Sequence, residues 1–429
     1  MRKKSIKIAI LGLGTVGSGV INLISKQKEN IKRRTGVDLQ IKTVCAKSKR
    51  KKRPFNLSAF NWCDDPISLT KDKDIDVIVE LVGGEKGISR KVIEEGIKQG
   101  KHIVTANKAL LANLGESLDK LAQEHDISLR YEAAVAGGIP IIRALTESLI
   151  SNKLTSIYGV INGTCNYILT KMEADGRDYN DVFSEAKRLG YVEADPELDI
   201  GGIDAAHKLS ILASLAFGTK LDYRNVSTKG IKNVSLEDIK EASKMGFKIK
   251  LLARAEFTKG VLEQEVAPCL VKKNTPIAQV QGSTNIIVLE GEDIGETVFA
   301  GPGAGMGPTA SAVVSDLISV ARGARLSTSL NSTRSSKKSQ NGANDKTSSF
   351  YIRFQLRDRS GVIALQSSKL SSQKISISQM KQKAPSRGKA TLIMTTHKTL
   401  QENLDKALKE IKKSKICFGE PVSIRIKEI

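Results

Sequence analysis

Side chains that bind metals or form crosslinks are scarce in this sequence. Its 429 residues include four histidines and five cysteines. The cysteines (Cys45, Cys63, Cys165, Cys269 and Cys417) lie far apart, with no C-x-x-C pair. That spacing excludes a zinc ribbon or a disulfide scaffold and fits a reducing compartment. No H-E-x-x-H motif occurs, which argues against a histidine-ligated metal centre. No apolar run approaches the roughly 18 residues needed to cross a bilayer, so no transmembrane helix is expected. The basic start Met1-Arg2-Lys3-Lys4 is that of a secretory signal, but Lys7 cuts the apolar run and no small-residue cleavage site follows. The expectation is a cytoplasmic protein without a membrane partner.

Aromatic residues make up only 4% of the chain, leaving few platforms for stacking bases. This matters because the net charge is +22. The excess is local: residues 26–53 carry a net +10 and residues 321–429 a net +16, so the remainder is slightly acidic. A basic groove running through the protein is not implied, and no nucleic-acid partner is expected. The length is about three times the roughly 150-residue domain prior, which implies two or three domains with cores of their own.

Short β-branched runs alternate with helical segments over residues 1–130. Strands are expected at Ile6–Leu11, Leu39–Ala46, Asp76–Val82, His102–Thr105 and Ile127–Arg130, with helices near 15–30, 87–99 and 107–124. That order is α/β with a parallel sheet. Residues 131–305 read as helices at 139–150, 163–174, 178–189 and 203–216, then strands near 249–257, 261–271 and 284–290. Residues 326–349 are Ser, Thr, Asn and Lys with almost nothing apolar, the composition of a linker. Beyond it the pattern is strand, helix, strand, strand, helix, strand, a βαββαβ module over 350–429. The expected domains are therefore 1–131, 132–306 and 350–429, with helix 307–325 returning to the first.

Strand Ile6–Leu11 leads directly into Gly12-Leu13-Gly14-Thr15-Val16-Gly17 and then a helix. In that context the glycines read as a Rossmann-type dinucleotide fingerprint: a tight turn at Gly12, backbone approach to a pyrophosphate at Gly14, and close helix packing at Gly17. The helix N-terminus offers free N–H groups to phosphate. An NAD-preferring site would place an acidic residue at the end of the second strand, whereas here Lys47-Ser48-Lys49-Arg50 follows Ala46. Lys47 and Lys49 suit a 2′-phosphate, favouring NADP(H) over NAD(H); a solvated basic loop is the plainer alternative.

Four segments resemble the homoserine dehydrogenases. Gly100-Lys101-His102-Ile103-Val104-Thr105-Ala106-Asn107-Lys108 is similar to the family's segment at the end of its fourth strand. Glu132-Ala133-Ala134-Val135-Ala136-Gly137-Gly138-Ile139-Pro140 and Ile161-Asn162-Gly163-Thr164-Cys165-Asn166-Tyr167-Ile168-Leu169 resemble the next two blocks. The most specific segment is Ala186-x-x-x-Gly190-Tyr191-Val192-Glu193-Ala194-Asp195-Pro196-x-x-Asp199-Ile200-x-Gly202-x-Asp204-x-x-x-Lys208, which departs from the signature at Val192, where the family usually has a small residue. The resemblance spans about residues 5–325, and the tail resembles an ACT regulatory module. With no preceding kinase segment, a monofunctional enzyme is expected.

Asp204 and Lys208 stand at i and i+4 on one helix face, which unaided reads as a helix salt bridge or, beside Glu193, Asp195 and Asp199, as a site for an ammonium-bearing substrate. The resemblance implies that Glu193, Asp199 and Asp204 bind substrate and that Lys208 donates and accepts the proton. Lys108, at the carboxyl end of a strand, would serve coenzyme and active site, with Thr105 and the Gly303 turn also near the coenzyme. Glu132, Val135, Gly137 and Ile139 resemble the family's sodium-like monovalent cation site, for which hard oxygen ligands are suited. His207 reads as a packed histidine, and Trp62 as structural. The implied reaction is NAD(P)-dependent interconversion of L-homoserine and L-aspartate 4-semialdehyde, serving threonine, methionine and isoleucine biosynthesis, in a homodimer or homotetramer with threonine as a candidate effector of the tail. Two rivals stand beside it: another amino-acid semialdehyde dehydrogenase on this scaffold, and a non-catalytic sensor of NADP(H) and amino acids.

Overall fold

The computed structural model describes residues 5–192, 195–324, 330, 347–383, 389–414 and 416–427. The first sheet comprises β1 (Ser5–Leu11), β2 (Asp38–Cys45), β3 (Asn61–Cys63), β4 (Val77–Glu80), β5 (His102–Thr105) and β6 (Leu129–Arg130). Its order is β3-β2-β1-β4-β5-β6 with every pairing parallel. The order reverses between β1 and β4, so a crevice opens at their carboxyl ends. Both faces of β1 are buried, Ile6, Ile8 and Ile10 in one core and Ala9 and Leu11 in another. That is why the strand reads as a continuous apolar run. Helices Thr15–Thr35, Ile88–Lys98 and Lys108–Glu124 cover the sheet near the expected places, the first running on beyond residue 30 to Thr35.

Helix Met306–Ala321 returns to this domain and crosses Thr15–Thr35 at Gly19, where an added Cβ would lie 2.7 Å from Met306 Cγ. It stops four residues short of the expected end, because Gly323 turns the chain at φ +67°.

The second sheet has ten strands: β7 (Leu154–Val160), β8 (Ser227–Thr228), β9 (Phe247–Thr258), β10 (Val261–Lys272), β11 (Thr284–Gly291), β12 (Gly295–Pro302), β13 (Ser349–Arg357), β14 (Ile377–Gln382), β15 (Lys389–Thr396) and β16 (Val422–Lys427). The order is β12-β11-β7-β9-β10-β16-β13-β15-β14, with β8 beside β10. Strands β9 and β10 form a hairpin closed by Lys259 (φ +52°) and Gly260 (φ +79°), the left-handed pair that matches strand twist. Helices Gly163–Asp175, Tyr179–Arg188 and Ile203–Phe217 share one core with the inner face of this sheet.

Two expectations are revised. The helix expected at 139–150 is a short α-turn, Ile141–Arg143, running into a π-turn, Ala144–Ser148; Pro140 has no N–H and opens it. The tail has the expected βαββαβ order, but its sheet is not separate. Strand β16 lies parallel to β10, with Cys269 opposite Arg425 and Val271 opposite Lys427. Helix Leu236–Lys244, which the apolar periodicity did not mark, clamps it there. Asp238 accepts from Tyr351 Oη at 2.8 Å and from Arg353 Nε at 2.7 Å, and Glu241 pairs with Lys381 at 2.8 Å. The expected linker lies almost wholly outside the described residues, and its last residue, Ser349, opens β13.

Candidate functional site

The turn after β1 gives each glycine a distinct environment. Gly12 sits at φ +102°, and a Cβ there would lie 2.7 Å from the Leu81 backbone. A Cβ on Gly17 would lie 2.0 Å from the Gly12 carbonyl oxygen, so helix and turn meet without a side chain between them. Around Gly14 nothing lies within 4 Å of the added atom, and Gly14 and Thr15 are exposed while Leu13 is buried. An open helix start with unpaired N–H groups is a phosphate cradle. Val16 begins the partly covered first turn, and Lys47 and Lys49 stand exposed just beyond β2.

Glu80, fully buried at the end of β4, organises the neighbouring crevice. Its carboxylate accepts from the Val82 N–H (2.8 Å), the Gly83 N–H (3.0 Å), Ser89 Oγ (2.8 Å) and Thr105 Oγ1 (2.7 Å). The Thr105 hydroxyl is therefore committed inside the sheet. The next residues, Ala106, Asn107 and Lys108, line a cavity of about 780 Å³ together with Gly83, Glu85 and, from the second domain, Asp204. Asn107 starts the helix that carries Lys108, its side chain accepting from the Leu110 N–H at 3.1 Å.

Asp204 is the centre of the site. Only 4% of its side chain is exposed, and its oxygens meet Lys108 Nζ at 2.5 Å and Lys208 Nζ at 2.8 Å. Burial by itself would raise this carboxyl, but the two ammonium charges outweigh it and hold the group well below the usual carboxylate range. Lys208 also donates to the Ile161 carbonyl at 2.9 Å. Asn162, which sequence reasoning placed only within a family block, donates to Asp204 (2.9 Å) and Asp199 (3.0 Å) while accepting from the Cys165 N–H (2.8 Å). Its only signal in the sequence is an Asn before the helix-opening Gly163, a helix N-cap. Asp199 is buried beside it. Glu193 lies outside the described residues. Lys108 comes from the first domain, and Asp204, Lys208, Asn162 and Asp199 come from the second, so the cluster bridges both.

His207, read from the sequence as a packed histidine, lines the same cavity one turn from Asp204, edge-on to Tyr223 at 4.6 Å. Burial lowers its pKa, which keeps it neutral near pH 7. Tyr223 and Arg224 complete this wall.

The segment carrying Val135, Gly137 and Ile139 curls at Ala136, a non-glycine residue at φ +51°. Both Glu132 carboxylate oxygens accept backbone N–H groups, from Ile142 and Arg143, each at 2.9 Å. Each oxygen keeps a further lone pair, so the carboxylate and the carbonyl oxygens of the segment remain as hard ligands for a cation. That suits a monovalent ion, and among the described residues no group of three or more His, Cys, Asp or Glu is arranged to hold a metal. Gly303 packs nearby, its backbone against Gly137 and its missing Cβ leaving room for Asn285. No helix among the described residues is long and apolar enough to cross a membrane.

A glycine turn suited to phosphate at the switch point of a parallel sheet, together with a lysine–carboxylate cluster at the cavity beyond β4 and β5, is the arrangement of a dinucleotide-dependent oxidoreductase. Comparison with known proteins narrows the class. Residues 12–132 match the family model "Homoserine dehydrogenase, NAD binding domain", and residues 140–318 match "Homoserine dehydrogenase". A homoserine dehydrogenase of Neisseria gonorrhoeae is 38% identical over 429 residues, covering 98% of each chain. The crystal structure of a homoserine dehydrogenase from Thiobacillus denitrificans superposes with a TM-score of 0.90 at 36% identity, covering all of both chains. A hyperthermophilic archaeal homoserine dehydrogenase in complex with NADPH gives a TM-score of 0.62 at 25% identity, covering 75% of this chain and 99% of that one. The chain belongs to the homoserine dehydrogenase family, oxidoreductases acting on a CH–OH group.

Proposed function

We propose that the Lys108–Asp204–Lys208 cluster is the catalytic centre of a homoserine dehydrogenase that prefers NADP(H). The observation that carries this reading is Asp204, buried and paired with both lysines at 2.5 and 2.8 Å. A carboxylate held this way fixes two ammonium groups at one point of the cleft, which isolated surface lysines cannot do. Lys208 gives its proton to the oxygen of the aldehyde carbonyl as that oxygen becomes an alkoxide, and takes it back from homoserine in the oxidising direction. Lys108 steadies the same oxygen from the coenzyme side. Glu193, Asp199 and Asp204 supply the negative charge that draws the substrate ammonium, with Asn162 locking Asp199 and Asp204 in register. The bound nicotinamide coenzyme supplies or accepts the hydride.

Leu13, Gly14, Thr15 and Val16, flanked by Gly12 and Gly17, would hold the pyrophosphate. Lys47 and Lys49 would meet the adenosine 2′-phosphate, where no carboxylate stands to bind a ribose hydroxyl. The NADPH bound by the archaeal relative supports the same choice. Glu132 and the backbone carbonyl oxygens of Val135, Gly137 and Ile139 would hold a monovalent cation at the hinge between domains 1–131 and 132–306. In the tail, the turn Arg357-Asp358-Arg359-Ser360-Gly361-Val362 lies between β13 and the next helix, with Gly361 at φ +82°. It is the place for an amino-acid effector such as threonine in an ACT-like module, although Ser360 stands where such turns usually have proline. Initial rates with L-homoserine and each coenzyme test the reading: oxidation faster in kcat/KM with NADP+ supports it, and no oxidation with either overturns it.

A further inference from the structure

Six of the seven residues from Lys47 to Arg53 are positively charged, and among the described residues none of the six pairs with a carboxylate. Charges of one sign packed this closely repel, yet the loop is folded. Arg53 folds it: Nη2 donates to the Ser48 carbonyl at 2.6 Å, and Nη1 donates to Lys51 at 2.9 Å and Lys49 at 3.3 Å. The same guanidinium lies 5.6 Å from the centre of the Trp62 ring, and Lys49 Nζ lies 6.0 Å from it. Trp62 is held from below. It sits on β3 opposite Val44, is partly buried against the first core, and donates its indole N–H to Asp64 at 2.6 Å.

The curl stands at the carboxyl end of β2, next to the phosphate cradle, since the Gly12 N–H donates to Cys45 at 2.9 Å. In a dinucleotide fold the adenosine ribose arrives at that edge. A loop that gathers six cations without a counter-charge is shaped for a dianion.

We propose that Arg53 is a positioning residue for coenzyme choice: by curling residues 47–53 over Trp62 it forms a site for a phosphate monoester dianion on the adenosine ribose. Selectivity for NADP(H) then depends on the shape of the loop as well as its charge. This rests on the NADP(H) preference proposed above. A lysine at position 53 would keep the charge but not the planar fork that spans three carbonyls.

The test is steady-state kinetics of Arg53→Gln and Arg53→Lys with NADP+ and NAD+ at saturating homoserine. Both variants are expected to raise the KM for NADP+ by about tenfold or more, leaving kcat and the KM for NAD+ close to the parent values. Trp62 is the only tryptophan, so its emission reports the loop directly. Adenosine 2′,5′-bisphosphate should change it in the parent protein and not in either variant, while adenosine 5′-monophosphate should change it in none. Parent-like NADP+ kinetics in Arg53→Lys, or equal losses for both coenzymes, would overturn the proposal. A parent enzyme indifferent to the 2′-phosphate would instead overturn the coenzyme reading itself, and the proposal with it.

Discussion

Replacing Lys208 with alanine removes the group proposed to move the proton while leaving its surroundings almost whole. Asp204 keeps Lys108 at 2.5 Å and the Asn162 amide at 2.9 Å, so the carboxylate is not stranded. The Ile161 carbonyl loses one donor. The structural cost is then about 1–3 kcal/mol, that of a buried polar group left short of a partner. The catalytic cost is larger. A positioned proton-transfer group contributes about 10² to 10⁴ in rate, or ~3–5 kcal/mol at ~1.4 kcal/mol per decade. Coenzyme affinity should not change, because Lys208 stands in the helix of the second domain and the phosphate cradle is built from the first. Stopped-flow NADPH formation measures turnover, fluorescence titration measures coenzyme binding, and a melt shows whether the fold persists. Lys208→Met, which keeps the apolar stem, should lose as much turnover with a smaller change in melting. A turnover loss below about tenfold, or a loss matched by weaker coenzyme binding, would refute the assignment.

Exchanging Lys47 and Lys49 together for alanine should weaken NADP(H) binding more than NAD(H) binding, by about tenfold in the ratio of dissociation constants; calorimetry with both coenzymes measures that ratio. Asn162→Ala removes two side-chain donors and a helix cap at once, so kcat/KM for homoserine should fall about 10- to 100-fold and the melting temperature should drop. Glu241, buried at the clamp, would be raised by burial, but hydrogen bonds from Lys381, Lys244 and Lys383 outweigh that and lower it from 4.5 to about 2. A depressed carboxyl stabilises the fold above its unfolded pKa and loses that contribution as pH falls through the folded value. Glu241→Gln should therefore lower stability near neutrality and flatten its decline between 4.5 and about 2, read from melts across pH; an unchanged acid limb counts against the clamp. If the tail turn binds threonine, Asp358→Ala should abolish inhibition by L-threonine without lowering basal activity. A point substitution is the better test than truncation, because β16 completes the sheet at β10.

How much of this could be read from the sequence differs by element. Strand β1 and its glycine turn were legible because the constraint is local: apolar residues on both faces, then Gly12 and Gly17, whose missing Cβ atoms each answer a contact within a few residues or one strand away, with Gly14 open between them. Helix Ile203–Phe217 was legible for the same reason, since i and i+4 set Asp204 beside Lys208 whatever surrounds them. Strands β3, β7, β8 and β12 were missed. The first is only three residues long, and β12 is an edge strand that alternates exposed and half-buried positions, so neither carries the apolar density that marks a buried strand. Helix Leu236–Lys244 carried a signal that periodicity passed over, the capping box between Ser235 and Asp238.

The sequence by itself determined what depends on neighbours along the chain: the glycine turn, Asp204 and Lys208 on one helix face, the basic loop after β2, and the succession of strands and helices in the tail. Only the tertiary structure decided what depends on distant partners. Lys108 meets Asp204 across the domain boundary, Asn162 joins Asp199 to Asp204, and β16 extends the second sheet at β10. Periodicity and capping fix which residues share a face, but nothing local fixes which face meets which. That choice is made when buried carboxylates such as Asp204 and Asp238 must find their cations, and unpaired strand edges their partners, as water is excluded.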